Sequence, residues 1–291
     1  MTAADDAPVY RGLTRREIAW HYNPTAAVPD HARFTEAKRA LSRETLARLP
    51  GPRDVSYGPD ERQLLDIFPA AARGERPAPV LLYLHGGAWR MLDRRDYAFV
   101  AEPWVAAGVT VVLPSYGRLP AAPLRALMRH AREAVLWTRD NIAQHGGDPA
   151  RLHVAGTSAG AHLLALAAAD PEVAAGIASL TVASGVYDFE AHRWHDRHRD
   201  MALDDALVRA ASPIHNPPAR RDMPTICAVG LDETPEMIRQ TRDFHAQLAT
   251  RGQPARLIEA PGNHFEVGAW FGQPDHPVFL ALRQAIFADG I

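Results

Sequence analysis

Short, wholly apolar runs that alternate with helix-length segments constrain this chain more than any other feature. PVLLYLHGG (79–87) and VTVVLPSY (109–116) read as strands buried on both faces, and RLHVAG (151–156), MPTICAVG (223–230) and ARLIEA (255–260) as further strands. A further strand is expected at Leu180–Ala183, and LLDIFPA (64–70) alternates as a strand should. Helical spacing recurs between and around them: Phe34–Leu46, Asp96–Gly108, Pro123–His145 stopped by Gly146-Gly147, residues 158–169, Glu236–Thr250 and a terminal helix from His276. A strand that is apolar along its whole length is buried on both faces. Strands that alternate with helices of this length imply a mostly parallel sheet covered by helices on both faces, an α/β fold. We read residues 1–291 as one domain, broken by a turn-rich stretch at 71–79. Residues 1–50 form a polar lead-in expected to fold across the site mouth as a lid, and residues 187–215 an irregular cap insertion.

Composition removes several alternatives. The balance of 32 Lys+Arg against 34 Asp+Glu gives a net charge of −2, which argues against binding nucleic acid by phosphate neutralisation. At 47% hydrophobic residues the chain is too apolar for disorder. Its apolar runs fall far short of the roughly 18 residues that a membrane span needs. Cys227 is the single cysteine, which rules out an intramolecular disulfide framework or a Cys-rich zinc site. The opening MTAADDAPVYRG carries acids where a signal peptide has a basic region, so a cytoplasmic location is expected.

The chemistry concentrates at Gly156-Thr157-Ser158-Ala159-Gly160, placed between a strand and a helix. A sharp strand-to-helix turn holds the central serine hydroxyl above the sheet edge, at the positive end of the following helix. A second glycine pair, in His85-Gly86-Gly87-Ala88-Trp89, follows the first buried strand. The N–H groups of Gly86, Gly87 and Ala159 can converge on an acyl oxygen as an oxyanion hole. A nucleophilic serine needs a base, and the base needs an orienting acid, in the chain order serine, acid, histidine. His162 lies one turn along the helix that leaves Ser158 and points away from it. His264 sits on a loop just past the strand ARLIEA, where sites in open α/β sheets collect. The acid should follow MPTICAVG, and position favours Glu233 with Asp232 as the alternative.

With these residues in hand, the chain resembles an α/β-hydrolase of the hormone-sensitive-lipase and arylformamidase (kynurenine formamidase) branch. The likeness rests on HGGAW (85–89), GGDPARLHVAGTSAGAHL (146–163), SGVYDFE (184–190), SPIH (212–215), ETPEMIRQTRDF (233–244) and GNHFE (262–266), and runs from about Tyr10 to Phe287. It implies Ser158 as nucleophile, His264 as general base, and Gly86, Gly87 and Ala159 as oxyanion donors. That branch usually has aspartate where Glu233 aligns, so the choice between Glu233 and Asp232 stays open. The implied reaction is cleavage of a small aryl or acyl amide or ester through an acyl-enzyme, N-formylkynurenine or a related aryl formamide in particular. A short-chain carboxylesterase is the alternative, and a scaffold kept only for ligand binding a more distant one. Neither a metal nor an organic cofactor is called for.

Among the aromatic candidates for the pocket, which include Trp20, Tyr22, Tyr116 and Trp194, we expect Trp89, Tyr187 and Phe265 to touch the substrate. The run His192-Arg-Trp-His195-Asp-Arg-His198 places three histidines three apart, yet its flanking charges mark it as a solvated loop or cap helix rather than a metal site. The expected partner is the small ester or amide itself, with no nucleic acid and no membrane; a homodimer is compatible with the chain but nothing in it requires one.

Overall fold

The computed structural model describes residues 7–71 and 76–288. Part of the turn-rich stretch at 71–79, the first six residues of the lead-in and the last residues of the terminal segment lie outside them. The chain opens with a small antiparallel hairpin, β1 (Pro8–Tyr10) and β2 (Leu13–Thr14), followed by α1 (Arg15–His21), α2 (Pro24–Ala27) and α3 (Ala32–Arg48). The sheet strands are β3 (Val55–Ser56), β4 (Leu64–Phe68), β5 (Ala78–Leu84), β6 (Thr110–Pro114), β7 (Gly147–Thr157), β8 (Ser179–Ala183), β9 (Thr225–Gly230) and β10 (Ala255–Ala260). Between and after them come α4 (Ala101–Ala106), α5 (Leu124–Asn141), α6 (Ala159–Ala167), α7 (Pro171–Ala175), α8 (Asp205–Ala210), α9 (Pro235–Thr250), α10 (His264–Val267) and α11 (Pro277–Phe287).

The eight strands lie in the order β10-β9-β8-β7-β5-β6-β4-β3. β4 runs antiparallel to β6 and β3 antiparallel to β4, and all other pairs are parallel. Every strand expected from the sequence is present. The additional ones, the hairpin and β3, are two or three residues long, too short to carry an alternation that a sequence can reveal.

β5 shows why its sequence is apolar throughout. Successive side chains of a strand point to opposite faces. Val80, Leu82 and Leu84 join the core under α5, α6 and α9, whereas Leu81 and Tyr83 join the core under α4 and α11. All five are at most 1% exposed. The second core is fixed by aromatic contacts: Trp104 of α4 stacks on Phe279 of α11 at 4.0 Å between centroids, and its indole N–H donates to Phe271 O. Asp96–Gly108 is not one helix as expected but a 3₁₀ segment, Arg94–Val100, running into α4, with Asp93 and Asp96 forming a reciprocal cap at its start. Among the described residues no helix is long and apolar enough to cross a membrane.

Candidate active site

Ser158 occupies the turn between β7 and α6 with φ 52° and ψ −119°, a conformation that costs roughly 1–3 kcal/mol for a residue with a side chain. The surrounding geometry enforces it. A Cβ on Gly160 would lie 2.1 Å from Leu84 O, so only glycine lets the helix start this close to β5. Ser158 N–H donates to Ala183 O at 2.9 Å, tying the turn to β8. Ala159 opens α6, and a first-turn N–H has no acceptor within its own helix.

His264 is the first residue of α10. Its position is set by Asn263, whose side chain accepts from Phe265 N–H at 2.9 Å while Glu266 accepts from Asn263 N–H at 2.9 Å, a capping box. His264 Nε2 stands 2.9 Å from the Ser158 hydroxyl, and its Nδ1–H donates to Glu233 Oε2 at 2.5 Å. The Glu233 side chain is fully buried. Its other oxygen accepts from Gly230 N–H at 3.1 Å and from the Ser184 hydroxyl. Glu233, not Asp232, reaches the imidazole. Asp232 is exposed and accepts instead from Gly262 N–H at 2.9 Å, bracing the loop that carries His264. Ser184, just past the end of β8 with φ 51°, was given no role by the sequence reading; its signals were its place after a buried strand and at the head of SGVYDFE.

The loop after β5 approaches from the other side. Gly87 has φ +130°, and a Cβ there would lie 1.9 Å from Met91 O, so the tight turn in which Gly87 O accepts from Arg90 and Met91 N–H requires glycine. A Cβ on Gly86 would lie 3.2 Å from Ser158 Cβ, which measures how closely this backbone passes the serine. His85 holds the loop through Nδ1–H to Gly86 O at 2.6 Å and stacks on Tyr116; burial pushes its pKa down to about 4.

Ser158 and His264 open onto a cavity of about 500 Å³. Trp89 and Phe265 line it, as does Tyr22, whereas Tyr187 does not. Tyr187 is wholly buried and stacks parallel on Phe244 of α9 at 4.4 Å, which corrects its expected role as a substrate contact. Sequence position placed it near the end of β8, but the chain turns there and drives the ring into the core. The Trp89 indole N–H donates to His162 Nδ1 at 3.1 Å, and His162 Nε2–H donates to Ala211 O at 2.8 Å. His162 is therefore a neutral packing residue, pushed by burial to a pKa of about 4.

The run around His192, His195 and His198 is not a solvated loop. The three rings are at most 5% exposed, and His192 and His198 line the cavity beside Trp89. The segment forms two 3₁₀ turns, Glu190–Trp194 and Asp196–Met201, and with three residues per turn the positions 192, 195 and 198 share one face. That face turns inward while Asp196 and Arg199 pair at the surface. The rings stack on one another, at 4.6 Å for His192 and His198, and no metal-holding cluster forms among the described residues. The lead-in supplies much of the remaining wall, from Tyr22 to Arg39.

The sequence matches a family model described as the alpha/beta hydrolase fold over residues 81–267. It is 35% identical over 284 residues to esterase LipQ of Mycobacterium tuberculosis, which covers 86% of this chain but 65% of LipQ, so the chain spans less than two thirds of that relative's length. It is 27% identical over 243 residues to kynurenine formamidase of Salmo salar, covering 80% of this chain and 79% of that protein. A solved structure of a candidate thioesterase from Silicibacter sp. superposes with a TM-score of 0.80 at 22% identity, over 92% of this chain and 99% of the other. The chain therefore belongs to the α/β-hydrolase fold family.

Proposed function

We propose that this protein is a serine hydrolase that cleaves a small acyl ester or amide through an acyl-enzyme. The observation that carries the reading is the unbroken hydrogen-bond chain from Ser158 through His264 to the buried Glu233, open to a cavity at its serine end. Ser158 Oγ attacks the substrate carbonyl carbon while His264 Nε2 takes the hydroxyl proton. Glu233 fixes the tautomer with the proton on Nδ1 and stabilises the imidazolium. The N–H groups of Gly86, Gly87 and Ala159 receive the oxyanion, each such donor contributing about 3 kcal/mol of barrier lowering. His264 then protonates the departing alcohol or amine, and a water activated by the same ring frees the acid.

An aryl formamide such as N-formylkynurenine is the substrate we favour. The aromatic wall of Tyr22, Trp89 and Phe265 suits a flat leaving group, and the formamidase relative aligns over comparable shares of both chains. The higher identity to esterase LipQ supports a short-chain carboxylesterase as the second reading. Comparing kcat/KM for N-formylkynurenine and p-nitrophenyl acetate separates them: the first reading requires the formamide to be the better substrate, and equal or faster turnover of the acetate selects the second.

A further inference from the structure

Lys38 of α3 is a buried cation in the wall of the same cavity. It is 6% exposed, and its ammonium donates to Phe265 O at 2.9 Å and lies 5.3 Å from the Tyr97 ring centroid. Among the described residues no carboxylate lies within ion-pairing distance of it. The neighbouring charges of the rim are matched: Arg39 with Asp96 at 2.8 Å and Arg43 with Glu36 at 3.0 Å. An ammonium withdrawn from water without a counter-charge is costly, and an apolar side chain would close the same space at less expense. Burial pushes its pKa down to about 8, with Asp96 acting in the opposite direction, so it remains mostly protonated at neutral pH.

Its location says which part of a substrate it meets. Phe265, whose carbonyl holds the ammonium, is the residue after His264, and His264 is the group that passes a proton to the leaving group. The anion that completes this site therefore belongs on the leaving-group side of the scissile bond. We propose that Lys38 determines specificity by pairing with a carboxylate on the substrate's leaving group, an inference that rests on the serine-hydrolase reading above. The substrate class is then an ester or amide of a carboxylate-bearing aromatic alcohol or amine.

The test uses substrates that share one acyl group: meta- and para-acetoxybenzoate against the matching acetoxybenzamides. The wild-type enzyme should prefer the benzoates. In Lys38→Met the benzoate-to-benzamide ratio of kcat/KM should fall about tenfold or more, chiefly through KM, since a hydrogen bond to a charged group is lost. Lys38→Arg should keep most of the preference, which a purely structural tie between α3 and α10 does not explain. A ratio that Lys38→Met leaves unchanged, or a wild-type preference for the benzamides, overturns the proposal. If the benzamides are cleaved and a phosphonate labels Ser158 while the ratio ignores Lys38, this inference alone fails. If neither ester is cleaved and Ser158 takes no label, the hydrolase reading falls and takes this one with it.

Discussion

Replacing Glu233 by glutamine keeps the volume but exchanges a carboxylate that accepts at both oxygens for an amide that accepts at one end and donates at the other. Both ends are committed in the native site, Oε2 to His264 Nδ1–H and Oε1 to Ser184 and Gly230 N–H. With the amide nitrogen towards His264, two donors face each other, and the ring is relieved only by moving its proton to Nε2, where it can no longer accept from Ser158. With the nitrogen towards Gly230, a buried N–H is stranded at a cost of roughly 1–3 kcal/mol, and the charge that stabilises the imidazolium is lost in either case. Losing that orienting charge in a serine protease lowers kcat about 10⁴-fold, so we expect a fall of about 10³–10⁴ here, roughly 4–5.5 kcal/mol of barrier. Asp232→Asn serves as the comparison, because an asparagine oxygen can still accept from Gly262 N–H; its kcat should stay within about threefold of wild type, the scale of one retained surface hydrogen bond. Steady-state rates with p-nitrophenyl acetate, with thermal melts to establish folding, measure both. A Glu233→Gln enzyme within about tenfold of wild type, or an Asp232→Asn enzyme that is the more damaged, would refute the assignment of the orienting acid.

Ser184→Ala removes a hydroxyl that donates to the buried carboxylate; with charge-assisted hydrogen bonds worth about 1.5–3 kcal/mol, kcat should fall about tenfold, and an unchanged kcat contradicts a supporting role. The native state should lose stability in mild acid. Burial holds His85 and His162 near a pKa of about 4 and pushes His192 well below its ordinary value, whereas the unfolded chain takes up those protons near 6.5. Stability is thus complete above pH 6.5 and declines as pH falls towards 4, by roughly 2 kcal/mol per ring at pH 5; urea unfolding at pH 7 and pH 5 that gives equal stability contradicts it. Tyr187→Phe, which alters a core ring away from the cavity, should leave kcat/KM within about twofold, as changes that touch no reacting group do.

Much of this architecture was legible because it is written locally. The apolar strands, the glycines around Ser158 and Gly87, and the strand-end position of His264 are properties of short segments. Ser184 could not be found that way, since its role depends on β8 lying beside β9 so that its hydroxyl meets a carboxylate 49 residues later in the chain. Charge density misled for His192, His195 and His198, because a three-residue turn can hide every third side chain while exposing the charges between. Nothing in the sequence sets Lys38 apart from the other cations of α3. Only the docking of α3 against α10 withdraws it from water and turns it towards the cavity. Tyr187 shows the converse, an aromatic in the right segment whose ring the tertiary turn sends inward.

Treatment with an aryl phosphonate followed by peptide mass mapping addresses the activated serine directly. One adduct is expected, on the peptide carrying Ser158, forming with loss of esterase activity and suppressed in both Ser158→Ala and His264→Ala. A protein that hydrolyses esters yet carries the adduct elsewhere, or an adduct on Ser158 that forms equally fast without His264, would contradict it.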